Sequence, residues 1–344
     1  MLFVPVVDRN QKALMPTTPN RATNWIKSRK ATPFWKKGIF CVRLNQEPSG
    51  RNLQSICVGI DPGSKKEAFT IKSESHTYLN IQTDAVTWVK DAVKTRREMR
   101  RARRFRTTPC RQPRFNLAKG GLPPSTKARW QWKLRICKWL QKMFPITDFI
   151  VEDIKARTTG KRRWDRSFSP LEIGKQWFYD QLSKLGCIGT KRGFETKELR
   201  DNAGLKKSSN KMSETFEAHC VDSWVLANSW VGGHTIPDNK EMLLITPLRF
   251  HRRQLHMLQP AIGGIRKLYG GTRSLGLKRG SLVKHPIFGL TYIGGTMKNR
   301  ISLHSLADGR RLCQNAFPTD CKFLTYNSWR TRLLPILKYG VSTL

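Results

Sequence analysis

The chain has 344 residues, enough for two or three domains, and its 64 Lys+Arg against 24 Asp+Glu give a formal net charge of +40. That excess excludes an ordinary metabolic enzyme as the default and calls for a polyanionic partner, nucleic acid before a membrane surface. Apolar residues make up 38%, with 11 Trp and 16 Phe, which supports a packed core rather than a disordered basic tail. No apolar run reaches the ~18–20 residues of a membrane span. The opening MLFVPVV lacks the basic and apolar regions of a signal peptide, so the expected location is the cytoplasm, with the nucleoid when DNA is bound. None of the eight Cys forms a Cys-x-x-Cys pair, so buried free thiols are expected rather than a zinc site or a disulfide framework.

In chain order, residues 1–50 read as a small basic module. Val4–Val7 is a short strand, a helix covers about 20–30, and Gly38–Leu44 is a second strand. The apolar run Ser55–Ile60 is a buried strand ending at Asp61-Pro62-Gly63. Ala68–Lys72 and Tyr78–Gln82 follow, and three short strands with tight turns predict an antiparallel meander. A helical stretch runs from about Asp84 to Arg106. Gly120-Gly121 breaks the chain, and Ser125 is placed to cap a helix whose apolar stripe is Trp130, Leu134, Cys137, Leu140 and Phe144.

Phe149–Glu152 is a buried strand ending in an acid. Ser169-Pro170-Leu171-Glu172 has capping-box spacing and predicts a helix through Trp177, Phe178 and Leu182. Ser213 is placed to cap one further helix, to about Asn228. Ten of the 25 Gly then fall between Gly263 and Gly309. They separate the β-type runs Gly280–His285, Leu290–Gly294 and Ile301–Leu306, which predicts a small C-terminal β-barrel.

Three features carry chemistry. Asp61 lies in Gly59-Ile60-Asp61-Pro62-Gly63-Ser64, which reads equally as plain turn chemistry. Glu152 ends a second apolar strand, and Asp222 lies in an apolar helix where an acid needs a partner. Three such carboxylates can converge on a pair of Mg²⁺ ions, with Mn²⁺ as a substitute, and clamp a phosphodiester displacement. His219 precedes Asp222 by three residues, one face of a helix. It reads either as a base for the attacking water or as a half-buried histidine bonded to a carbonyl.

The second feature is a run holding Arg96, Arg97, Arg100, Arg101, Arg103, Arg104 and Arg106. On a helix all but Arg106 fall within an arc of about 160°. Guanidinium groups crowded on one side repel unless phosphates neutralise them, so this face is assigned to nucleic acid. The third is the basic and aromatic stretch Arg249–His256, where Arg252, Arg253 and Gln254 are candidates for reading DNA.

Together these segments resemble a known family. Asp61 in GIDPGS, Glu152 in FIVED, and His219 with Asp222 in EAHCVDSWVLA are similar to the three split segments of a RuvC-type nuclease. RREMRRARR resembles the arginine-rich bridge helix of RRXXR-domain proteins. Leu14-Met15-Pro16 resembles the N-terminal PLMP module, with Ala13 in place of its first Pro. Lys206-Lys207 before the helix with Phe216 also fits, as does RKLYGGTRSLGLKRGSLV, while Ser223 stands where Ala is common. The resemblance is to the IscB family of transposon-encoded, RNA-guided nucleases. Residues 153–218 contain no His, so no HNH nuclease domain fits there, as in the IsrB branch.

That resemblance implies an α/β chain with an RNase H-like core split in three. The module covers 1–50, RuvC-like segment I 51–93, the bridge helix 94–116, segments II and III 117–232, and a β-rich domain contacting target-flanking DNA 233–344. It implies a nickase that acts as a monomer with a structured omega guide RNA and double-stranded target DNA. Asp61, Glu152 and Asp222 would hold Mg²⁺, and His219 would assist the water. A guide-independent RNase H-like nuclease and a non-catalytic RNA-binding protein are the competing readings.

Overall fold

The computed structural model describes residues 3–107, 121–155, 171–210, 212–233, 236–248, 258–259, 264–265 and 273–334. The chain forms two compact units. One comprises Met1–Val86, Leu122–Ile245 and Arg332–Leu344, and the other Thr87–Gly121 and Thr246–Thr331.

The first unit begins with a four-stranded sheet. Its strands are β1 (Val4–Val7), β2 (Ala13–Thr17), β3 (Ala31–Lys36) and β4 (Ile39–Leu44), in the order β2-β1-β4-β3. Helix α1 (Pro19–Lys27) links β2 to β3, with Thr18 accepting a hydrogen bond from the Arg21 amide at 3.4 Å and Pro19 opening the helix. Val4, Val6, Leu14, Ala22, Ala31 and Val42 form its core.

The second sheet carries β5 (Ile56–Asp61), β6 (Lys66–Ser73) and β7 (Thr77–Asp84). These form the antiparallel meander read from the sequence. After helix α2 (Trp88–Phe105), which belongs to the other unit, α3 (Pro124–Leu140) leads to β8 (Asp148–Asp153), parallel to β5. Helix α4 (Lys175–Leu182) then leads to β9 (Cys187–Arg192), parallel to β8. The stretch closes with α5 (Gly193–Asn202), α6 (Phe216–His219), α7 (Val221–Val231) and β10 (Met242–Pro247), which runs parallel to β7.

The sheet order is Trp329–Leu334, β10, β7, β6, β5, β8, β9. Its β7-β6-β5-β8-β9 portion has a meander on one side and parallel crossovers on the other, as expected of an RNase H-like core. β5 and β8 lie in its middle and read as unbroken apolar runs because both of their faces are covered.

Three local expectations change. Ser125 lies inside α3, which starts after Pro123 without a side-chain cap. Helix α4 begins only at Lys175, after Gly174 turns the backbone left-handed at φ +83, while Ser169 and Pro170 lie outside the described residues. The single helix expected from Ser213 is two, α6 and α7, separated at Cys220.

In the second unit a five-stranded antiparallel sheet has the order Arg311–Ala316, Arg300–Ser305, Gly289–Met297, Ser281–His285, Lys322–Tyr326. Val283, Ile293, Ile301, Leu303, Ala316 and Cys321 form its core. The expected short strands are present. Among the described residues these five strands form one antiparallel sheet, with no pairing between its two end strands. No described helix is long and apolar enough to cross a membrane.

Cation crowding in the N-terminal module gives a pH test. Lys37 sits in the β3–β4 turn at φ +52, and the Lys36 ammonium donates to the Lys142 carbonyl at 3.2 Å. Burial, then Arg135, Lys142 and Lys36, push the Lys37 ammonium down to about 8 from 10.5. The folded chain thus releases this proton near pH 8 and the unfolded chain near 10.5. Between those values the unfolded state binds more protons, so this group's contribution to stability rises with pH. Thermal midpoints across that window should climb less steeply for Lys37→Met than for the parent, with the variant the more stable of the two at pH 7.

Candidate active site

The site is built where β5 and β8 end side by side. The two strands run parallel, with Ile60 opposite Val151, so Asp61 and Glu152 leave the sheet as neighbours. Helix α7 lies across this end. It packs so closely on β5 that a Cβ at Gly59 would collide with the Ser223 carbonyl oxygen and stand 2.8 Å from the Ala227 amide nitrogen. Ser223 and Thr70 share a hydroxyl–hydroxyl bond of 2.8 Å, and the Trp224 indole donates to Thr77 at 2.9 Å. At the far end of α7 the buried Lys72 ammonium donates to the Gly232 carbonyl at 2.7 Å. These contacts fix where Asp222, in the first turn of α7, meets the strand ends.

The three acids feel one another. The Asp61 carboxyl is raised by burial and by the Asp222 charge, with Lys207 opposing. The Glu152 carboxyl is pushed up to about 8 by burial, by the Asp61 charge and by donating a hydrogen bond to Asp61, with Asp222 adding to the effect. This is the pattern of carboxylates that cannot all ionise together without a cation between them. The neighbouring acid of the same strand is diverted: Asp153 pairs with Lys175 at 2.8 Å and accepts from the Tyr179 hydroxyl at 3.0 Å.

Two cations converge on Asp222. The Arg200 guanidinium of α5 donates to Oδ1 at 2.7 Å, and the Lys207 ammonium is bonded to Oδ2. Lys207 also stands 3.9 Å from Asp61 Oδ2. Among the described residues no three His, Cys, Asp or Glu side chains form a set that could hold a metal ion as they stand. The chemistry of the donors nevertheless suits one. All are carboxylate oxygens, the ligands of a hard divalent cation.

His219 is placed differently from the helix-face expectation. It ends α6, whereas Asp222 begins α7, and its Nε2 bonds the Ser213 carbonyl at 2.9 Å. Burial holds its imidazolium below the usual histidine range, the Ser213 carbonyl opposes this, and Lys66 and Lys207 add to the lowering. A neutral ring is thus favoured, oriented by a backbone carbonyl.

Sequence reasoning missed Arg200, and it missed a buried ion pair beside the site. Lys133 of α3 and Glu67 of β6 are both fully buried and meet at 2.7 Å. The ammonium also lies 4.8 Å from the centre of the Trp130 ring. Burial pushes the Glu67 carboxyl up, the Asp61 charge adds to this, and Lys133 opposes the rise at both acids. Strand parity could have found Glu67, since it shares a face with Phe69 and Ile71.

The arginine run is helical through Phe105. No residue of α2 is fully buried, and Met99 and Phe105, on the side away from most of the arginines, are exposed. Arg96, Arg97, Arg100, Arg101, Arg103 and Arg104 lie on α2, and Arg106 is its C-terminal cap. Arg252, Arg253 and Gln254 lie outside the described residues.

The α7–β5 contact should be intolerant of one methyl group. Gly59→Ala should cost about 1–3 kcal/mol in urea unfolding, as overpacking of a tight interface does. Gly50→Ala, where nothing lies within 4 Å, should be near neutral.

No curated protein matches the chain. A solved structure of T. thermophilus RuvC in complex with a Holliday junction substrate aligns over 52% of this chain and 96% of its own, at 12% identity and a TM-score of 0.27. A family model described as RRXRR protein matches residues 4–162. The run contains Arg100-Arg101-Ala102-Arg103-Arg104, in keeping with that description. The stretch similar to RRXRR proteins therefore carries the N-terminal sheet, Asp61, the arginine helix and Glu152.

Proposed function

We propose that the chain is an RNA-guided DNA endonuclease of the IscB kind. In this reading it belongs to the HNH-lacking IsrB branch and nicks the displaced, non-target strand. The observation that carries this reading is the meeting of Asp61, Glu152 and Asp222, from two strands and a helix, in a chain of net charge +40. The acids supply a place for phosphodiester hydrolysis, and the charge and the exposed arginine helix supply a grip on polynucleotide.

Asp61, Glu152 and Asp222 would hold Mg²⁺. When bound, the metal supplies a nucleophilic water and charge stabilisation at the leaving oxygen. The rest falls to side chains of this chain. Asp61 and Glu152, fixed on adjacent strand ends, set the spacing of the ligands. Arg200 keeps Asp222 in its rotamer from α5. His219, neutral and oriented through Ser213, is available to take a proton from the attacking water.

The arginine helix would lie along the guide RNA or its heteroduplex with the target, and pairing would supply the sequence specificity. The β-rich part beyond about residue 233 would contact the DNA flanking the target, with Arg252, Arg253 and Gln254 as readers. In this reading a single chain works with one omega RNA, and the domain limits are those given by the sequence.

The test is reconstitution with the RNA that copurifies with the chain. Asp61→Ala, Glu152→Ala and Asp222→Ala should each lower Mg²⁺-dependent nicking by roughly 100-fold or more while leaving RNA affinity unchanged. Changing Arg100, Arg101, Arg103 and Arg104 to Gln should weaken RNA binding and reduce the slope of log affinity against log salt by about three, near 0.7 per lost phosphate contact. Cleavage of branched DNA by the RNA-free chain would favour a guide-independent nuclease. RNA binding with unchanged cleavage in Asp61→Ala would overturn the site.

A further inference from the structure

We propose that Lys207 is an internal counter-ion of the site, holding Asp61 and Asp222 together in the absence of metal and competing with the divalent cation for both. The inference rests on the reading that these acids bind a divalent cation, and it adds a positioning residue that controls when they do so.

The placement is specific. The Lys207 ammonium is bonded to Asp222 Oδ2 and stands 3.9 Å from Asp61 Oδ2. It therefore bridges two of the three acids from the position a shared cation would take. The Asp222 side chain is 6% exposed, so its charge needs a partner whenever no metal is present. A divalent ion reaching the same oxygens meets an ammonium already there, and the two like charges repel at close range. Lys207 must leave for the metal to enter.

The two cations on Asp222 are held differently. Arg200 belongs to α5, and its side chain is 16% exposed. Its planar fork is fixed by the helix. Lys207 lies in the link between α5 and α6, and its side chain is 37% exposed. That link leaves α5 through Gly204, at φ +64, with the Leu205 amide donating to the Arg200 carbonyl at 3.1 Å. It is fastened again where the Ser208 amide donates to the Glu217 carbonyl at 2.9 Å. The backbone at Lys207 is thus pinned on both sides, while a flexible four-carbon stem carries the ammonium in from the solvent side. On metal entry Arg200 stays and Lys207 swings out. Its charge is then free at the mouth of the site, where a phosphate would lie.

The probe is Mn²⁺, titrated into the full-length chain without nucleic acid, with free Mn²⁺ followed by electron paramagnetic resonance. Lys207→Gln should bind Mn²⁺ about tenfold more tightly than the parent, the order expected when a partly buried competing charge is removed. Lys207→Arg keeps the charge and should bind as weakly as the parent. A structural lesion lowers affinity, so tightening cannot arise from misfolding.

A second measurement uses the unaltered chain. Acetylation of Lys207 by a lysine-specific reagent, read by mass spectrometry, should speed up as Mn²⁺ is added, while Lys133 stays unlabelled. Equal or weaker Mn²⁺ binding by Lys207→Gln in a folded chain, or a labelling rate at Lys207 unmoved by saturating Mn²⁺, overturns the proposal. Asp61→Asn separates the two levels. If it abolishes Mn²⁺ binding while Lys207→Gln changes nothing, the metal site stands and the lysine's role falls. If Asp61→Asn binds Mn²⁺ as the parent does, the site reading itself falls.

Discussion

Mutual repulsion among Asp61, Glu152 and Asp222 is the constraint around which the first unit is arranged. Like charges brought together out of water destabilise a fold unless something neutral or positive balances them. Here the balance has three parts: a proton held by Glu152, the two cations on Asp222, and the Lys133–Glu67 pair behind Asp61. The sheet and α7 hold the acids in place against that repulsion. Gly59 is what lets α7 come close enough, because any side chain there would push the helix, and Asp222 with it, away from the strand ends.

Buried charge recurs on the other face of the argument. Glu67 carries one oxygen, Oε2, with no hydrogen-bond partner among the described residues, while Oε1 takes the Lys133 ammonium. Such a half-satisfied pair is poor value for stability alone. Lys133 also acts on Asp61, opposing the rise of its carboxyl. The pair lies in the core, where solvent and salt reach it least.

Much of this was legible in the sequence. The meander is visible because Ser55–Ile60, Ala68–Lys72 and Tyr78–Gln82 are short β-type runs with tight turns between them. Asp61 and Glu152 stand out because each ends an apolar strand in a chain poor in acids. Other features depend on contacts between distant segments. Arg200 looks like any surface helix arginine until α5 packs on α7. β10 gives no hint that it will add to the far edge of the sheet. The break at Cys220 was hidden because residues 213–228 keep a helical composition throughout, whereas the two short helices point His219 and Asp222 by separate means. Lys133 was masked by its own surroundings, since Trp130, Leu134 and Cys137 read as an uninterrupted apolar stripe.

The arginine helix carries a consequence for assembly. None of its eighteen residues is fully buried, and the Lys94–Glu98 ion pair lies along its surface. Its guanidinium groups repel one another. Charge repulsion along the rod would be relieved by any anionic partner laid against it. If a polynucleotide lies along it, as proposed above, binding and the order of this segment would be coupled in one equilibrium.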